Sequence, residues 1–74
     1  MTENYKTWLD TKPIDHIITN IAKLLIKKIG QHYDDAIEHA TNEDCRAASV
    51  QMAQEAETAL KDLLKYIAER TQNA

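Results

Sequence analysis

Thr41-Asn42-Glu43-Asp44 is the stretch on which the fold turns. It stands between two segments of helical pattern and carries two overlapping helix-start signals. Thr41 with Asp44 resembles a capping box, and Asn42 is itself a favoured cap. A link this short lets the chain only turn back on itself.

Upstream of it, from Pro13 to Thr41, apolar residues recur at Ile14, Ile17, Ile18, Ile21, Leu24, Leu25, Ile29, Tyr33, Ala36, Ile37 and Ala40. That is a helical period held over about seven turns. Pro13 suits the start of this helix, and Asp15 suits its positive end. Downstream the stripe is Ala47, Val50, Ala53, Ala56, Leu60, Leu63, Leu64 and Ile67. Folding about Asn42 sets Ile37 against Ala47, Leu25 against Leu60 or Ala59, Ile21 against Leu63, and Ile17 against Ile67. The chain therefore reads as all-α, an antiparallel hairpin of two long helices over 13–41 and 43–70.

Ahead of the hairpin, Tyr5, Trp8 and Leu9 at i, i+3, i+4 predict a short helix over 3–10 that covers part of the core. Residues 71–74 are expected to fray, and 1–74 form a single helical domain. Gly30 is the weak point. Lys27-Lys28-Ile29-Gly30 resembles a helix ending, yet Ile29, Tyr33 and Ala36 keep phase across it and no cap follows. A continuous helix is expected, with an internal Gly costing about 1 kcal/mol. A break there would instead give a monomeric three-helix bundle.

Composition supports this reading. The chain has 74 residues, 43% apolar and 28% charged, with one Gly and one Pro. So few turn-formers are hard to reconcile with a sheet of several hairpins. One Cys excludes an internal disulfide framework and a Cys-only zinc site. No apolar run approaches the roughly 18 residues that span a bilayer, and the first residues lack both parts of a signal peptide. A cytoplasmic protein away from membranes is expected.

One hairpin leaves apolar surface over. The stripe of the first long helix spreads over roughly 220° and the larger residues of the second over roughly 160°. A single facing helix covers about a third of a circumference, and the short helix cannot cover the rest. Homodimerisation into a four-helix bundle is the expected remedy, with Ala47, Ala48, Ala53, Ala56 and Ala59 permitting close approach.

Charge is segregated. Residues 30–57 hold seven acids against Arg46 alone, a net −6, whereas the remainder carries eight bases and five acids, a net +3; together these give the −3 of the chain. Asp34, Asp35, Glu38, Glu43 and Asp44 at the turn end are candidate contacts for a larger protein with a basic surface. At the open end Lys23, Lys27, Lys28, Lys61 and Lys65 are the alternative, a patch for phosphates of structured RNA. That patch has no interleaved aromatic and no Arg, and Asp62 dilutes it. The architecture is similar to the small dimeric hairpins of plasmid copy-number control, which bind paired RNA loops. The similarity lies in architecture without a shared motif, and assigns no residue a role.

Catalytic and cofactor chemistry finds little footing. His39, opposite Cys45 and one turn from Asp35, is the one constellation with metal or nucleophile potential. His32 lies about 10.5 Å along the axis from His39, too far to share an ion. The expectation is that His32 and His39 are partly buried, that His16 is on the surface, and that Cys45 is a small buried residue. No metal, cofactor or enzymatic activity is expected. The leading reading is a non-enzymatic interaction module, an inhibitor or regulator with an acidic surface.

Overall fold

The computed structural model describes residues 2–72. Among these there is no strand, and three helices follow one another. The short N-terminal helix is Glu3–Asp10, started by Thr2, whose hydroxyl accepts the Tyr5 N–H at 3.2 Å. The first long helix occupies residues 14–38 and the second is Glu43–Gln72. The two long helices pack along each other as a hairpin.

Asn42 is the cap that starts the return. Its Oδ1 accepts the Cys45 N–H at 3.2 Å and its carbonyl accepts the Arg46 N–H at 2.9 Å. The first long helix ends at Glu38 rather than Thr41, because His39 leaves helical geometry at φ −104°, ψ 29°. The Asn42 N–H donates to the His39 carbonyl at 2.9 Å, and the Arg46 guanidinium donates to the Ala40 carbonyl at 3.3 Å. At its other end the second long helix continues to Gln72, where the Thr71 hydroxyl donates to the Ile67 carbonyl at 2.8 Å. Residues 73 and 74, the rest of the expected frayed tail, lie outside the described residues.

The first long helix passes through Gly30 without a break, Lys23–Glu38 being continuous α-helix. The alternative bundle interrupted at Gly30 is therefore corrected: in-phase apolar residues on both sides outweigh the modest cost of one Gly. A Cβ at Gly30 would meet nothing within 4 Å. Packing within the chain does not require glycine there.

The irregularity lies elsewhere, in a π-helical segment, Ile17–Ala22, in which the Lys23 N–H donates to the Ile18 carbonyl five residues back. Its cause is the seam. Among the residues turned inward, a seam runs through Ala22, Leu25, Ile29, His32 and Ala36 on the first long helix and Ala53, Ala56, Leu60, Leu63, Ile67 and Arg70 on the second, with Ile21, Ser49, Val50, Glu57 and Tyr66 flanking it. Steps of three and four alternate, as in a coiled coil. Extended backwards in regular α-helix, that pattern would bury Ile18. The π segment inserts one residue of phase, so Ile17 is fully buried while Ile18 is 45% exposed.

The core is thin. Among the described residues the buried ones are Leu9, Ile17, Ala22, Ala36, Ala53, Leu63 and Tyr66, three of them alanines. Ile21, Leu25, Leu60 and Ile67 pack against the cluster at the open end. The molecule measures 49 × 21 × 17 Å with a radius of gyration of 14.8 Å, against about 11 Å for a compact chain of this length.

The π segment predicts unequal roles for two adjacent isoleucines. Ile17→Ala should destabilise by about 2–5 kcal/mol and Ile18→Ala by less than about 1 kcal/mol, read from urea midpoints at equal slope. The reverse order would mean that the helix runs as regular α through residues 17–22.

Candidate functional site

The N-terminal helix closes the open end of the hairpin. Leu9 is its one buried side chain, joining Ile17, Leu63 and Tyr66. The Tyr66 hydroxyl donates to the Asp10 carboxylate, and the Arg70 guanidinium donates to the Leu9 carbonyl at 3.3 Å. Burial, then the hydrogen bond to Asp10, push the Tyr66 hydroxyl above its ordinary range, with Arg70 opposing in part. Tyr66 went unread in the sequence because its polar tip hid it. It stands beside the seam residue Ile67, and contact with Leu9 and Asp10 of the N-terminal helix is what buries it.

Trp8 and Tyr5 do not cover the core as expected, being 45% and 37% exposed. A helix this short presents one narrow face, and Leu9 takes it. The two rings stack on each other at 5.9 Å and 23°, with the Lys12 ammonium 5.2 Å from the Trp8 ring. Tyr5 instead walls a cleft of about 260 Å³ with Ile21, Leu24, Leu25, Lys28, Ala59 and Asp62. A second cleft, more polar, lies between Lys6, Asp62, Lys65, Tyr66 and Glu69.

The turn end gathers charge as the sequence implied. Asp34, Asp35, Glu38, Glu43 and Asp44 are all exposed. Arg46, the lone base of that half, is held on the Ala40 carbonyl. Further along, the Tyr33 hydroxyl donates to Glu57 at 2.5 Å, and that bond, ahead of desolvation, raises its pKa. At the open end Lys23, Lys27, Lys28, Lys61 and Lys65 are exposed, but Lys28 and Lys65 line the two different clefts, each with Asp62.

His39 and Cys45 are both exposed, which corrects their expected burial. Counting positions along the axis set them opposite each other, but the first long helix stops before His39 reaches the seam. His32 is half-buried, and the exposed His16 shares a hydrogen bond of 3.1 Å between its Nδ1 and Asn20 Nδ2. Among the described residues no group of three or more His, Cys, Asp or Glu side chains is placed to hold a metal ion. None of the described helices is long and apolar enough to cross a membrane.

No protein-family model, curated protein or solved structure matches the chain.

The Tyr66 clamp sets a pH dependence. A tyrosine whose folded pKa lies above its unfolded value of about 10 stabilises fully below pH 10 and loses that contribution as pH rises through the folded value. The urea midpoint of the native chain should therefore fall more steeply as pH rises above about 10 than that of Tyr66→Phe. Parallel slopes would remove Tyr66 from the linkage.

Proposed function

We propose that the chain is a non-enzymatic interaction module, working as a homodimeric four-helix bundle whose acidic turn ends engage a basic surface on a larger protein. The observation that carries this reading is the composition of the turn end: five exposed carboxylates, with the one nearby guanidinium committed to a backbone carbonyl. Carboxylates so arranged steer a cationic partner and set its orientation. The thin core supports the dimer, because a hairpin of this size has little stability to spare.

The RNA reading ranks second. Phosphate recognition by a helix pair requires several cations on one surface, whereas Lys28 and Lys65 stand in separate clefts and share Asp62 as a neighbour.

The test is binding of the intact chain to an immobilised lysine-rich peptide, with a glutamine-for-lysine peptide as control. Binding should weaken steeply with salt, and Asp35→Asn with Glu43→Gln and Asp44→Asn should weaken it about tenfold at unchanged helicity. Equal binding by the triple variant would overturn the acidic-end reading. A salt-sensitive shift of an RNA stem-loop, lost in Lys28→Gln with Lys65→Gln, would replace it with the RNA reading.

A further inference from the structure

The hairpin has two broad faces, and they are not alike. One carries the N-terminal helix and the cleft between Tyr5, Leu24, Lys28 and Ala59. The other is marked by the Tyr33–Glu57 hydrogen bond between the two long helices. Two residues of helix separate Leu24 from Ile26 by about 200°, so Ile26 belongs to this second face. At heptad or one-turn steps Ile26, Tyr33 and Ile37 follow along it, 57%, 37% and 73% exposed, and Leu64 of the second long helix adds to them at 52%. Gly30 lies within the same strip, one turn from Ile26, with open space where a Cβ would be.

Along the outer edge of that strip the charges have an order. Lys23 and Lys27 stand seven and three residues before Gly30; Asp34 and Glu38 stand four and eight after it. Within one chain these are two like-charged i, i+4 pairs, each mildly destabilising to its own helix. Set a second copy antiparallel against the strip with the two-fold axis beside Gly30, and every one of them meets its opposite. Lys27 then faces the partner's Asp34, and Lys23 the partner's Glu38, twice over by symmetry. Positive rotation from the seam leads to the same side in both members of an antiparallel helix pair, so the four charges flank the contact on matching edges, as charged residues flank a coiled-coil seam.

We propose that this face is the homodimer interface, an isologous contact in which two first long helices cross antiparallel at Gly30. The inference deepens the functional reading, since it locates the self-association assumed there and rests on the chain being a dimer. It also divides the acidic residues. Asp34 and Glu38 pair across the dimer, and Asp35, Glu43 and Asp44 remain outward for a basic partner. Gly30 removes the side chain where the two backbones approach most closely. Ile26, Tyr33 and Ile37 bury against their counterparts on either side of it.

The proposal is tested by charge exchange in the full chain. Sedimentation equilibrium should give about 17 kDa for the native chain, twice its 8.5 kDa. Lys23→Glu with Lys27→Glu, and separately Asp34→Lys with Glu38→Lys, place like charges across the contact, and each variant alone should fall to 8.5 kDa at concentrations where the native chain is dimeric. Mixed, the two variants should recover the dimer mass, because each then meets opposite charges. Gly30→Leu, which has room within its own chain, should keep its helical circular dichroism and dissociate. A native monomer, an undiminished Gly30→Leu dimer, or a mixture that stays monomeric would each overturn the interface. Loss of lysine-peptide binding in the Asp35, Glu43 and Asp44 variant bears on the acidic ends alone, whereas a native monomer removes the interface together with the dimeric part of the functional reading and leaves the acidic ends standing.

Discussion

Two helices share one seam, and the rest of this molecule follows from keeping that seam in register. Steps of three and four on both long helices hold side chains in contact over many turns, and any slip of one residue rotates a helix by about 100° out of the contact. The π segment Ile17–Ala22 meets that demand at the open end, putting Ile17 rather than Ile18 beside the core cluster. The turn end is held covalently and by the Asn42 cap. The open end has no such link. There the N-terminal helix inserts Leu9, and Asp10 and Arg70 tie the two elements together through Tyr66 and the Leu9 carbonyl.

What the sequence made legible were the features set by short-range chemistry. The polar link, the direction of return and the passage through Gly30 all follow from residues within a turn or two of one another, while the cap was narrowed to Thr41 or Asn42 and the structure uses Asn42. The π segment does not, since Ile17 and Ile18 are equally apolar and only their distant neighbours Leu9, Leu63 and Tyr66 choose between them. Tyr5, Trp8 and Leu9 likewise fit one helical face on paper, and contact with the hairpin selects Leu9. The exposure of His39 and Cys45 was missed because matching positions along two axes assumes that both helices extend to the link, whereas the first ends at Glu38. The acidic turn end was legible as charge; the commitment of Arg46 to the Ala40 carbonyl depends on the turn's three-dimensional path.

The thin seam also shapes what the surface can be. With three alanines among the buried residues, much of the apolar area that a chain of this length would enclose stays outside, on the two broad faces. The N-terminal helix covers one face in part and leaves a cleft beside Tyr5. None of the described residues covers the other face, and it holds Ile37, the most exposed large apolar residue among them. Exposed apolar residues scattered singly call for no explanation, but a row at helical spacing with a glycine inside it does.

Helix electrostatics separates the acidic residues into those with a local reason and those without. Glu43 and Asp44 occupy the first turn of the second long helix, where backbone N–H groups favour negative charge. Asp35 and Glu38 lie near the opposite kind of end, where the first long helix presents its carbonyls, and no base lies in its last turn to offset them. Asp34 and Glu38 repel each other one turn apart, as do Lys23 and Lys27. Each of these placements costs a few tenths of a kcal/mol where a neutral residue would cost nothing. Four unfavourable choices spaced symmetrically about the step from Gly30 to Gln31 are not what stability of a single chain would favour. They become favourable together when the same helix meets itself in reverse, which is why the charge pattern, more than the apolar strip, argues for a second copy as the occupant of that face.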